Sequence, residues 1–224
     1  MILLCGRYTL LADELKVRHR FHIPNEIGQF EPSYNIAPGQ NVLAVIHDGV
    51  KRRGGYLRWG LVPSWAKDEK IGYKMINARS ETAHEKPSFK QLMARKRCLV
   101  VADSFYEWQQ MNGEKIPQRI QVAEKELFSF AALWDKWQDE EKTIFTCTLL
   151  TKDANDSIQN IHHRMPIILS EAEEDIWIKQ SFSSALEAKQ FLDDAGDVTF
   201  EHYPVSDEVN NVRNNNATCI EPIV

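Results

Sequence analysis

The 224-residue chain has no paired cysteines: Cys5, Cys98, Cys147 and Cys219 lie far apart, with no C-x-x-C spacing and no His/Cys cluster. That argues against a zinc site and for reduced thiols. A long hydrophobic run is also missing. No stretch approaches the roughly 20 apolar residues of a membrane span, and the opening Met1-Ile-Leu-Leu4 is too short for a signal peptide's apolar region, so a cytoplasmic protein without membrane contact is expected. Positive charge is scarce too: 27 Lys and Arg stand against 32 Asp and Glu, a net charge of −5. Phosphate affinity normally comes from excess cations, so a general polyanion binder is excluded and any nucleic-acid site must be a local basic patch. There is no internal repeat, low-complexity segment or heptad pattern, and Asn214-Asn-Asn216 marks a turn near the end.

What the chain does have is enough apolar substance, 43% of residues, to bury one sizeable core, and no composition shift divides it. A single domain over 1–224 is expected. Apolar and charged residues at helical spacing predict a helix over Ala12–Phe21, stopped by Pro24. The runs Val42–Ile46, Tyr56–Gly60, Arg97–Val101, Leu127–Phe130 and Thr143–Leu150 are short and rich in β-formers. Helical patterns fit Ser88–Ala94, Ala154–Ile161, Glu171–Lys179 and Ser184–Leu192, without regular strand–helix alternation. The expectation is an α+β fold, a mainly antiparallel sheet or barrel-like core with peripheral helices.

Five separated segments are polar, aromatic and Gly- or Pro-bearing beyond what a core requires: Cys5-Gly-Arg7, Tyr34-Asn-Ile-Ala-Pro-Gly39, Asn77-Ala-Arg-Ser-Glu-Thr82, Phe105-Tyr-Glu-Trp108 and Ile161-His-His-Arg-Met-Pro166. Taken singly they have structural explanations: Glu107 reads as a solvated strand carboxylate and His162 as a hydrogen-bonded structural imidazole. A Cys, a His and a Glu in one chain also permit nucleophilic catalysis, with the imidazole accepting a proton and a carboxylate raised in pKa by a partly apolar pocket. Separation along the chain says nothing about proximity, and both readings stay open.

Together with Trp59-Gly-Leu-Val-Pro-Ser-Trp65, Tyr203-Pro-Val-Ser206 and Asn210-Asn-Val-Arg213, these segments resemble the SOS-response-associated peptidase family, the abasic-site shield proteins, across nearly the whole chain. The resemblance implies a mature chain that begins at Cys5, presenting a free α-amine and a thiol to the aldehyde of an abasic site in single-stranded DNA. An α-amine, with a pKa of about 7.7–8.0, is substantially neutral where a lysine at about 10.4 is not. It further implies that Asn77 positions the N-terminal residue and the sugar, Glu107 shuttles protons and His162 assists the opened sugar and the crosslink. Arg7, Arg79 and Arg164 match phosphate-contacting positions, where a planar fork donates two parallel hydrogen bonds. Ser80 and Thr151 are further phosphate contacts, and Trp65 and Pro38 offer surfaces to exposed bases. No cofactor is implied, and the family suggests a monomer acting in the cytoplasm, on the nucleoid during DNA damage.

The family pattern is Met-Cys-Gly-Arg, whereas this chain reads Met1-Ile-Leu-Leu-Cys5. With Cys5 inside a peptide bond, no thiazolidine can close. Translation starting at position 4, where a TTG codon encodes either leucine or an initiator methionine, would remove the block, as would autoproteolysis before Cys5. A degenerate copy that binds DNA without bonding to it is the third outcome. From other classes, a thiol peptidase using Cys5, His162 and Glu107 on other proteins and a non-covalent single-strand binding module compete.

Overall fold

In the computed structural model, which describes residues 6–28, 30–179, 182–195 and 198–223, the β-rich runs become strands of two sheets. In chain order, β1 (Tyr8–Leu10), helix α1 (Glu14–Arg20), β2 (Ser33–Ile36), β3 (Asn41–His47) and β4 (Arg52–Trp59) come first. Then follow β5 (Asn77–Arg79), α2 (Ser80–Ala83), α3 (Lys90–Arg95), β6 (Arg97–Ala102), β7 (Ser104–Met111), β8 (Glu114–Val122), β9 (Phe128–Gln138) and β10 (Thr143–Asp153). The remainder is β11 (Arg164–Pro166), β12 (Ile168–Leu169), α4 (Glu171–Lys179), α5 (Ala185–Asp194) and β13 (Phe200–Pro204).

One sheet is antiparallel throughout, in the order β13-β8-β7-β1-β2. In the other, β10 pairs β4 on one side and β9 on the other, so β10-β4-β3-β6-β9 close into a five-stranded barrel. Closure removes the exposed edges that would invite strand addition. The α+β expectation holds, with two departures from antiparallel pairing: β10 runs parallel to both β4 and β5.

Aromatic side chains join the two sheets. Tyr8 of β1 meets Trp59 at 5.5 Å and Phe130 at 5.7 Å between ring centroids, and Phe105 of β7 meets Phe130 at 6.1 Å. All four are 0–1% exposed. Burying each stabilises by roughly 1.5–3 kcal/mol, and Phe130→Ala, which empties the shared contact, would cost about 3–5 kcal/mol.

The helices lie where their caps and apolar faces put them. Asp13 accepts from Lys16 N–H at 2.8 Å to begin α1, and Ser184 accepts from Glu187 N–H at 3.1 Å to begin α5. The stretch Ala154–Ile161, expected as a helix, is instead a succession of turns. Asn155 Oδ1 accepts from Ser157 N–H at 3.2 Å as an N-cap does, and Gln159 N–H donates to Asn155 O at 3.0 Å, but Ile161 N–H then bonds to Ile158 O at 2.9 Å, three residues back rather than four, so no regular helix continues; Asn155 Nδ2 ties the segment to Val198 O at 2.7 Å. Among the described residues, no helix is long and apolar enough to cross a membrane.

Candidate functional site

Asn77 is delivered by a close approach of two glycines. A Cβ on Gly60, whose φ is +126°, would stand 2.7 Å from Gly72 O, and a Cβ on Gly72 would stand 2.7 Å from Gly60 O. Only glycine at both positions lets these backbones touch. The contact seats the turn Glu69–Lys74 against the end of β4, and Leu61 N–H then donates to Met75 O at 3.0 Å. Trp59 Nε1 donates to Ile76 O at 2.9 Å. Asn77 follows directly, opening β5 opposite Leu149 of β10. In the Trp59–Trp65 motif, the buried Trp59 and Gly60 therefore hold the scaffold, while Trp65, 60% exposed, stands on a groove of about 180 Å³ beside Arg95 and Gln91.

From Asn77 the chain lays Arg79 opposite Thr151, and β10 continues to Asp153, opposite Arg164 of β11. His162 lies two residues before Arg164, and its Nδ1 stands 3.1 Å from Arg164 N–H and 3.2 Å from Arg164 O, accepting from the one or donating to the other according to its tautomer. Its Nε2 is buried without a hydrogen-bond partner among the described residues. Burial lowers the His162 pKa, assisted by the neighbouring His163 and Arg164 charges and opposed by the hydrogen bond to Arg164 O; the ring is neutral near pH 7.

Glu107 comes from the other sheet. It is 1% exposed on β7, opposite Gln118, which overturns the reading of a solvated strand carboxylate. Tyr106 N–H donates to Arg7 O at 3.0 Å, so the segment entering β1 runs alongside the residue before Glu107, and Gly6 there is buried. Cys5 lies outside the described residues. Two residues past Glu107, Gln109 Nε2 donates to Asn160 O at 3.3 Å, tying β7 to the turns that lead into His162.

The three arginines differ. Arg79 is exposed and forms no hydrogen bond or ion pair among the described residues. Arg7 donates to Asn35 Oδ1 at 2.9 Å, Val209 O at 2.5 Å and Asn210 O at 3.2 Å, and burial lowers its pKa. Arg164 is 4% exposed: Nη1 donates to Glu81 Oε1 and Asp153 Oδ1, each at 2.6 Å, and Nη2 to Glu81 Oε2 and Thr151 O, each at 2.9 Å. Burial opposes its charge, but the two carboxylates outweigh burial and raise its pKa. Ser80 and Thr151 are buried, and the Thr151 hydroxyl accepts from Arg164 Nη2 at 3.3 Å. Pro38 is half-buried, next to Gly39, whose N–H donates to Trp59 O at 2.7 Å.

Sequence reasoning missed Glu81 and Asp153 as partners of Arg164, although Glu81 sits inside the Asn77–Thr82 segment. It also missed Asn35, buried at 1%, whose Nδ2 donates to Val209 O at 3.2 Å, Asn211 O at 3.1 Å and Asn214 O at 2.8 Å. Asn35 explains why the Tyr34–Gly39 and Asn210–Arg213 segments occur together: one ties down the other. Among the described residues no three His, Cys, Asp or Glu side chains form a group able to hold a metal ion.

The sequence profile of the SOS response associated peptidase (SRAP) family matches residues 4–212. The abasic site processing protein YoqW of Bacillus subtilis is 45% identical, over 97% of this chain and 99% of its own. The chicken (Gallus gallus) abasic site processing protein HMCES is 36% identical over 88% of this chain and 68% of its own. A solved protein from Bacteroides thetaiotaomicron superposes with a TM-score of 0.86 at 26% identity, covering 98% of this chain and all of that one. One from Bordetella bronchiseptica superposes with a TM-score of 0.74 at 26% identity, over 90% of this chain and all of that one. With its segments, barrel and second sheet in agreement with that match, this chain belongs to the SOS response associated peptidase family.

Proposed function

We propose that this protein processes abasic sites in single-stranded DNA by bonding to them through Cys5, acting as a monomer in the cytoplasm and on the nucleoid during DNA damage. The observation that carries the reading is the convergence of buried Glu107, the segment entering β1 and the turn bearing His162 from three distant parts of the chain. Buried, hydrogen-bonding and titratable groups gathered from separate elements are the mark of a reactive site rather than of packing.

The chemistry needs a free α-amine at Cys5. That amine attacks the aldehyde carbon of the ring-opened deoxyribose, and water leaves as the imine forms. The Cys5 thiolate then adds to the imine carbon while the nitrogen takes up a proton, closing a five-membered thiazolidine. Glu107 carries protons between these steps, Asn77 orients the amine and the sugar, and neutral His162 hydrogen-bonds the opened sugar. Autoproteolysis before Cys5, whether it removes four residues or only the initiator methionine of a start at position 4, exposes the amine. Arg79, open to solvent, meets phosphate, with Arg7 beside the entry of β1; Trp65 and Pro38 support bases by stacking, and Ser80 and Thr151 brace the phosphate-binding edge from beneath.

The test is a chain beginning Met-Cys5 and the full 224 residues, each incubated with single-stranded DNA carrying one abasic site and read by denaturing gel and intact mass. A heat-stable adduct from both, lost in Cys5→Ala, is expected if the leader is removed. An adduct from the short form alone points to the later start. No adduct from either overturns the covalent mechanism and leaves a binding module, which the exposed Trp65 and Arg79 favour over a peptidase of other proteins.

A further inference from the structure

The 3-10 helical turn Glu69–Lys74, which leads towards Asn77, turns one row of side chains to the barrel and another to solvent. Such a turn has three residues per revolution, so side chains three apart lie over one another. Glu69 and Gly72 form the inner row: Gly72 is buried against Gly60, and Glu69 is held by Arg58 and Lys142, each at 2.7 Å. Lys70 and Tyr73 form the next row, and both are exposed. Tyr73 shows 73% of its surface, yet one side of its ring is close to backbone, since a Cβ on Gly39 would stand 3.7 Å from Tyr73 Cε1. The ring therefore stands next to the Pro38–Gly39 turn.

The same stretch concentrates free positive charge. Lys67, Lys70 and Lys74 are exposed, and their ammonium groups form no hydrogen bond or ion pair among the described residues. From 67 to 79 the cations Lys67, Lys70, Lys74 and Arg79 face only Asp68 and Glu69, and Glu69 is already neutralised by Arg58 and Lys142 from outside the stretch. In a chain with a net charge of −5, this is local charge of the sign that attracts phosphate. A single exposed aromatic or a few solvated lysines need no explanation on their own. What sets this turn apart is its seating. The Gly60–Gly72 contact leaves no room for a side chain on either glycine, and Leu61 N–H and Trp59 Nε1 hold Met75 and Ile76 behind it. Tyr73 is four residues from Asn77, within about 14 Å. An aromatic ring carried on fixed backbone loses little freedom when a base stacks on it.

We propose that this turn is a further DNA-binding surface: Tyr73, beside Pro38, stacks a base of the single strand flanking the abasic site, and Lys70 and Lys74 pair with the phosphates next to that base. Lysine acts here as a point charge on a flexible stem, and the ring accepts any base because every base has a π-face, so the surface lengthens the footprint without adding sequence preference. The inference rests on the reading that the substrate is single-stranded DNA; the chemistry of Cys5 plays no part in it.

Photocrosslinking tests it on the unaltered side chains. The chain beginning Met-Cys5 is bound to single strands that carry one abasic site and the photoreactive base 5-iodouracil at one flanking position at a time, irradiated, and the modified peptide is sequenced by mass spectrometry. A bond to Tyr73 is expected from a position on one flank. Fluorescence anisotropy on intact strands adds the energetics. Tyr73→Ala is expected to weaken binding roughly 5- to 100-fold, as loss of one base stack does, and Tyr73→Trp to restore it. Lys70→Ala with Lys74→Ala should lower the slope of log affinity against log salt by about 1.4, two phosphates at about 0.7 each. All three side chains are exposed, so urea midpoints should stay at the wild-type value. No bond to Tyr73 from any flanking position, or a wild-type salt slope in the double lysine variant, overturns the proposal. The proposed function fails separately: a Tyr73 bond without an abasic adduct at Cys5 sinks the covalent chemistry and leaves the surface, whereas a normal Cys5 adduct without the Tyr73 bond does the reverse.

Discussion

Arg7 and Arg164 approach the site from different sheets, and their charges are satisfied in opposite ways. Among the described residues Arg7 donates only to neutral oxygens, those of Asn35, Val209 and Asn210, and none of them compensates its charge of +1. Arg164 faces two carboxylates, Glu81 and Asp153, so that cluster sums to one positive and two negative charges, a net −1. Coulomb attraction acts on uncompensated charge and persists at partly dry surfaces. On the proposed function, Arg7 by β1 and Arg79 on β5 are therefore the stronger draws on phosphate, and the compensated Arg164 the weaker. A chain with a net charge of −5 can bind DNA if its few uncompensated cations are placed along one path.

The largest way to break this comparison is to remove Arg164. Arg164→Met removes the buried guanidinium between Glu81 and Asp153; because both carboxylates are open to water, the stability loss in urea unfolding is expected at or below the low end of the range for a broken buried pair, about 3 kcal/mol, with little loss of affinity for intact single strands. Asn35→Ala strips donors from three backbone carbonyls and an acceptor from Arg7. Its expected cost is about 2 kcal/mol, and loosening of the Asn210–Arg213 segment is readable by hydrogen exchange. Arg79→Ala separates binding from stability: the log–log dependence of single-strand affinity on salt should fall in slope by about 0.7, while stability changes by less than about 0.5 kcal/mol. Arg7→Ala should lower both.

The finest test concerns pH. The folded-state pKa of His162 is below its ordinary value, so the unfolded chain binds a proton first as pH falls. The stabilising contribution of the neutral ring is thus complete above about pH 6.5 and is lost as pH drops from there through the folded pKa. Unfolding midpoints of wild type and His162→Gln, compared across this window, should converge towards acid. Parallel curves would show that His162 is not held neutral.

The fold was legible wherever periodicity or composition was strong. β3, β6 and β10 follow runs of β-branched and apolar residues, and α1, α4 and α5 follow helical spacing. The hairpin of β7 and β8 carried a readable signal in Asn112-Gly113, whose φ angles of +49° and +87° suit the tight two-residue turn that joins Met111 to Glu114. Pro117 and the polar residues of β8 masked it. The turns of the Ala154–Ile161 segment are tied by Asn155 to Val198, 43 residues away, which is not a local signal.

By itself, the sequence determined the fold class and the set of polar and aromatic segments from which the site is built, because periodicity and residue chemistry are local properties. Which arginine is free, which carboxylate faces which guanidinium, and that Glu107 is buried rather than solvated were decided only by tertiary structure. Charge compensation and burial depend on neighbours brought from 83 residues away for Arg164 and Glu81 and 202 for Arg7 and Val209. Those separations leave no trace in local pattern.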